Sequence, residues 1–355
     1  MRTAFISFCL VTGIAVAATG AAQTQPSGAM GGLFAKVADI PLGEKTSRFD
    51  YESLDPITGR LFISKMGSGK LLAFDTASRT LVAELNGFPK TTGVLAVPAL
   101  HKVYASVPGA GLGASLSVAL GMTGISKGSG AVAILDSRSL KEIARLPAGV
   151  FPDGIAFDPD HRRIFVSDEL GGGLTVIGAD DDKPIARIDT KGEVGNVQYD
   201  PITKKIYVPV QSRNELAVID PVSLGIVARH PLVGAKHPHG LRIAHGAAIG
   251  YVACDGNDRL LVLDLASGKV TGDLPLGHDP DVLADDGAAR LYVASESGML
   301  SVFDVSDPAR PKKLGDAFAG ANAHSVAVDP ATHFLFLPLR DLGGKAALRI
   351  LAPLP

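Results

Sequence analysis

Four triplets in this chain set an acid or an imidazole directly ahead of a short apolar run: Phe-Pro-Asp at 151–153, His-Pro-His at 237–239, Asp-Pro-Asp at 279–281 and Asn-Ala-His at 322–324. Counted back from the end of each run, the last residue of every triplet shares one offset with Asp50, Thr92 and Asn196. Asp50, Asp153, Asn196, His239, Asp281 and His324 are therefore a recurring set rather than scattered polar residues. Neutral imidazole combined with carboxylate suits Zn, Fe or Cu, whereas an all-oxygen set suits Ca. His237, His239, Asp281 and His324 are the candidate ligands of a divalent metal. The same groups could act as a general acid and base, if burial drives their pKa values apart. Asp and Asn also cap tight turns by accepting from nearby backbone amides, so a purely structural role stays open beside these two.

The elements that must position these residues are short β-branched runs bounded by Gly, Pro, Asp or Asn, which read as strands. They recur with a period of roughly 42 residues, each period holding one four-stranded antiparallel unit. Second strands read at 60–64, 102–106, 163–167, 205–209, 250–254, 290–295 and 334–338, and third strands at 71–74, 131–135, 174–177, 215–219, 260–263, 300–303 and 347–351. A lone sheet of this kind cannot bury both faces, so neighbours must stack, and seven such copies predict an all-β, seven-bladed β-propeller. The last copy lacks a fourth strand, while a spare run at 34–43 precedes the first. The expectation is one domain over 34–355, in which the N-terminal strand completes the last blade and removes two open sheet edges.

In such a ring the first strands line the central channel, and the recurring set rims one mouth. The ends of the second strands share that face, adding Lys65, Asp168, Glu169, Asp255, Glu296 and Arg340 to a funnel rich in carboxylate and imidazole. The candidate ligand-binding set is Asp50, Asp153, Asp168, Asn196, His239, Asp255, Asp281, Glu296, His324 and Arg340. A Gly-rich, apolar insertion at 108–130 joins the second and third strands of the second copy, and so belongs to the same face as a lid or docking segment. By contrast, Asp75, Asp136, Asp220, Asp264 and Asp304 end successive third strands ahead of turn residues, which assigns them to Asx turns on the opposite face.

The first 22 residues stand apart: Arg2, an apolar stretch at 4–18 and Gly20-Ala21-Ala22 have the layout of a secretory signal peptide, followed by a flexible linker at 23–33. With Cys9 removed, Cys254 is the one remaining thiol, so no internal disulfide is expected. No further apolar stretch is long enough to span a membrane, so a periplasmic or secreted protein is expected. Charge is near balance at −2, and no Lys/Arg stripe offers a nucleic-acid footprint. Cys-x-x-Cys, His-Glu-x-x-His and nucleotide-loop patterns are all missing from the sequence.

Ile-Tyr-Val-Pro-Val (206–210), Gly-Tyr-Val-Ala-Cys (250–254) and Leu-Tyr-Val-Ala-Ser (291–295), with Ala-Val-Ile-Asp-Pro (217–221) and Leu-Val-Leu-Asp-Leu (261–265), resemble the repeats of the YVTN family, which includes YncE-like proteins. The resemblance covers nearly all of the chain after the leader, although the Tyr-Val-Thr-Asn string itself is replaced by variants such as Phe-Val-Ser-Asp (165–168). It implies a seven-bladed propeller and export, and leaves the chemistry open because similar propellers serve as scaffolds, binding proteins and redox subunits. Two functions remain in view. The first is an exported binding or scaffold protein that recognises a small molecule or protein partner through the channel mouth. The second is a metal-assisted hydrolase or lactonase, or a quinoprotein-like oxidoreductase, working in the same funnel.

Overall fold

Glycine, proline and aspartate turns chop the chain into runs too short for anything but hairpins, and these fold into four-stranded antiparallel sheets. A computed structural model describes residues 32–109 and 128–355. The leader-like residues 1–22, expected to be a signal peptide, and nearly all of the expected linker and the insertion lie outside the described residues. Among the described residues, seven sheets run in sequence order, as in the blade of Pro152–Asp158, Arg163–Asp168, Gly173–Gly178 and Lys183–Asp189. Each innermost strand touches that of the next blade, and Glu52–Asp55 meets Ala327–Val328 to close the ring. No described helix is long and apolar enough to cross a membrane.

The core is divided. Each hydrophobic cluster lies between two consecutive blades, such as Phe165, Val176 and Ile188 against Val208, Ala217 and Ile219. Second and third strands are therefore buried on both faces, while the outermost strand Lys183–Asp189 is largely exposed. One aromatic per blade anchors this packing at an equivalent point of the second strand: Phe62, Tyr104, Phe165, Tyr207, Tyr251, Tyr292 and Phe336 are each at most 2% exposed.

The N-terminal strand Phe34–Pro41 pairs antiparallel with the last strand, Lys345–Pro353, as the sequence predicts. Phe34 stands opposite Pro353 and packs its ring 6.1 Å from that of Tyr292 in the preceding blade. Asp39 and Arg349 form a two-pronged ion pair at 2.7 and 2.9 Å across this seam. The last hairpin is longer than its sequence implies, with strands Leu335–Leu342 and Lys345–Pro353. Gly343 and Gly344, both at positive φ, make a two-residue turn that lets pairing run into the polar stretch Arg340–Asp341.

The turn acids behave as expected. Asp75, Asp136, Asp220, Asp264 and Asp304 accept from the backbone N–H of Ser78, Ser139, Ser223, Ser267 and Ser306 at 2.6–2.9 Å. These bonds hold all five carboxyls below their ordinary range.

Because Phe34 is fully buried in the closing seam, Phe34→Ala is expected to cost about 3–5 kcal/mol in denaturant unfolding. The exposed counterpart Val82→Ala, on an outer strand, should cost under about 1 kcal/mol.

Candidate functional site

The recurring set does converge on one mouth of the channel, held there by tight approach of neighbouring inner strands. The Asp50 and Thr92 amides bond to the Ser64 and Ser106 carbonyls of their own second strands at 2.9 and 3.1 Å. Asn196 bonds through its amide to the His239 carbonyl of the next blade at 3.0 Å. Thr92 donates its hydroxyl to the Pro152 carbonyl at 2.7 Å, and Ser106 donates to that of Asp153 at 2.7 Å. The strands come so close that a Cβ on Gly93 would lie 1.9 Å from the Asp153 carbonyl oxygen, and one on Gly240 would lie 2.2 Å from that of Asp281. Glycine after the ring residue is what allows this spacing.

Three other blades carry Val197, Val282 or Ser325 at that place, and blade 1 departs furthest. Asp50 is followed by Tyr51, where other blades have Gly, Val or Ser. The phenol crosses the channel axis to the far blades. Its hydroxyl donates to the Asn196 side-chain oxygen, lies 3.4 Å from Asp153 Oδ2, and faces His239 Nε2 at 3.3 Å. Tyr51 thereby lines both of two cavities. One, of about 210 Å³, opens at the mouth and is lined by Arg48, Asp50, Thr92, Asp153, Glu169, His239 and Asp281 among others. The other, of about 590 Å³, occupies the rest of the channel between Val94, Ile155, Val197, Leu241 and Leu283, and opens on the opposite face.

Two acids of the mouth are neutralised by direct contact. His324 is almost fully buried, with Nδ1 2.7 Å from Asp281 Oδ2 and Nε2 3.0 Å from the Phe49 carbonyl. Arg48 pairs with Glu296 through both guanidinium nitrogens, and Asn322 donates to the same carboxylate. Asp153 and Glu169 then share one further cation, His239, whose Nε2 lies 3.4 Å from Asp281 and 3.9 Å from Asp153, while Asp50 feels His324 and Arg48 more strongly. Burial, followed by mutual repulsion among the acids, pushes Asp153 well above the usual carboxyl range. Asp50 and Glu169 are also raised, burial outweighing the nearby histidines. Burial raises Asp281 most, but its bond to His324 together with the charges of His324, His239 and Arg48 outweighs that and lowers it. Burial pulls both imidazoles down, but the surrounding carboxylates prevail and raise His239 and His324 to about 9.

The remaining sequence candidates lie elsewhere. Asp168 is fully buried, accepts from the amides of Val150 and Phe151 at 2.8 and 2.7 Å, and pairs with Arg187, so it pins a loop. His237 adopts a left-handed backbone at φ 53 and places Nδ1 2.8 Å from Asp255, with Nε2 3.7 Å from Glu193. Its partners are not those of His239, so the His-Pro-His pair does not converge. Lys65 points between blades to the Leu42 carbonyl at 2.6 Å, and the Arg340 side chain is exposed. Tyr51 and Arg48 also belong to the site, at repeated positions where no other blade carries the same residue type. The bulky residue at 51 against small ones elsewhere is the signal that marks the first of them.

No protein-family model matches this chain, and no curated protein matches it either. Among solved structures it is similar to a chain of Kuenenia stuttgartiensis hydrazine synthase, at 15% identity and a TM-score of 0.67. The match covers 85% of this chain and 95% of that one. At this identity the likeness concerns the fold alone: a β-propeller.

A carboxyl raised on folding holds its proton more tightly in the folded state, so stability falls as pH climbs above its ordinary value of 3.8. Asp153→Asn removes that loss. It should raise Tm by about 1–3 °C at pH 8 and leave it unchanged near pH 4, read by calorimetry across the two buffers.

Proposed function

We propose that this chain is an exported propeller of the YVTN type that binds a small cationic ligand at its acidic channel mouth, as a binding module rather than a catalyst. The observation that carries this reading is the charge arrangement: Asp50, Asp153, Glu169 and Asp281 line one small cavity whose only lining cations are His239 and Arg48, the latter already paired with Glu296. Desolvated like charges are costly unless a counter-charge arrives, and a cation in the cavity restores Asp50, Asp153 and Glu169 to their ionised form. The Tyr51 floor and the Arg48–Glu296 rim give that cation a closed bottom and a fixed edge. Export is supported by the leader-like residues 1–22, and the family by the Tyr-Val strand runs.

The test is calorimetric titration with 1,4-diaminobutane in the presence of EDTA, with glutarate as the anionic control. Saturable binding of the diamine alone is expected, weakened at least about tenfold by Asp153→Asn, the loss for a charge-assisted contact. Equal binding of glutarate, or a diamine affinity untouched by Asp153→Asn, would overturn the reading.

A further inference from the structure

One carboxylate in the mouth has no contact that accounts for its position. Asp50 is 7% exposed and lines the cavity, yet among the described residues its side chain makes neither a hydrogen bond nor a contact ion pair. It faces Asp281 and His324, and one ligand atom from each of the three lies within 4.8 Å of the other two. His324 is oriented for a second purpose as well. Its Nε2 lies 3.0 Å from the Phe49 carbonyl, which leaves Nδ1, 2.7 Å from Asp281, as the nitrogen available to coordinate. A metal-binding imidazole is commonly fixed in this manner, one ring N–H donating to a carbonyl while the other nitrogen coordinates.

From this geometry we infer that Asp50, Asp281 and His324 form a binding site for one divalent transition-metal ion. The inference rests on the mouth being a cation site and deepens it by naming an inorganic ion as one occupant. The ion takes the place of the proton that now lies between His324 Nδ1 and Asp281 Oδ2 at 2.7 Å, and that proton leaves to solvent. Ligand atoms about 2.0–2.2 Å from zinc require the three side chains to draw in from their present spacing. Glu296 Oε1, 3.5 Å from Nδ1, is the nearest further oxygen, but Arg48 and Asn322 already hold it. One imidazole with two carboxylates favours Zn²⁺ or Mn²⁺ over Ca²⁺, which seeks six to eight oxygens. The half-buried group His237, Asp255 and Glu193 is the natural competitor for added zinc, and it has no comparably buried, unpartnered acid.

Metal-stripped protein titrated with Zn²⁺ and Mn²⁺ by equilibrium dialysis should take up one equivalent, with Ca²⁺ at least tenfold weaker. Asp50→Asn, nearly isosteric, should weaken uptake tenfold or more, as should His324→Gln, with circular dichroism confirming that both variants fold. His237→Ala should leave uptake unchanged. Zinc uptake abolished by His237→Ala and kept by Asp50→Asn would overturn the site, as would no uptake by the folded wild type. Diamine binding in EDTA reports on the mouth separately, so its survival alongside failed metal uptake would sink this inference and leave the broader reading standing.

Discussion

Every blade of this molecule depends on its neighbours, because none can bury both faces of its own sheet. The apolar clusters lie between blades and not within them, so the ring is stable only if it closes. Closure is made by eight residues from the start of the described chain, Phe34–Pro41, laid against the last strand. The seam uses the same means as the rest of the ring, with one buried aromatic and a backbone ladder, and adds the Asp39–Arg349 pair. Without it, the edges of Lys345–Pro353 and its neighbours would stand open to other chains.

Ring closure also explains why the mouth can hold such an unfavourable set of charges. Its acids are presented from the backbones of several different blades, each fixed by carbonyl contacts too close for any side chain larger than glycine at Gly93 and Gly240. The acids cannot move apart to relieve their repulsion without separating blades. The energy of the interblade clusters is thus partly offset by local electrostatic strain, a pattern typical of places that bind something.

Much of the fold could be read from the sequence, because repetition averages out local ambiguity. A single run such as 163–167 is a weak strand signal; seven in phase are a strong one. The spare N-terminal strand was legible for the same reason, since a gap in the last copy matched a surplus before the first. The mouth was legible only where it repeats. Asp153, His239, Asp281 and His324 share an offset, and the structure gathers them. Strand-end residues were harder to place, because a position beside the mouth does not fix where a side chain turns. Asp168 turned inward to cap Val150 and Phe151, and His237 turned outward at a left-handed backbone. Tyr51 was invisible to a search for repetition because its importance lies in breaking the repeat.

That single break makes the channel a cul-de-sac. A molecule arriving at the acidic mouth meets the Tyr51 phenol, held by Asn196 and His239, and must leave by the path it took in. The deeper chamber samples a separate reservoir on the opposite face, so solutes on the two sides of the ring do not compete for one passage.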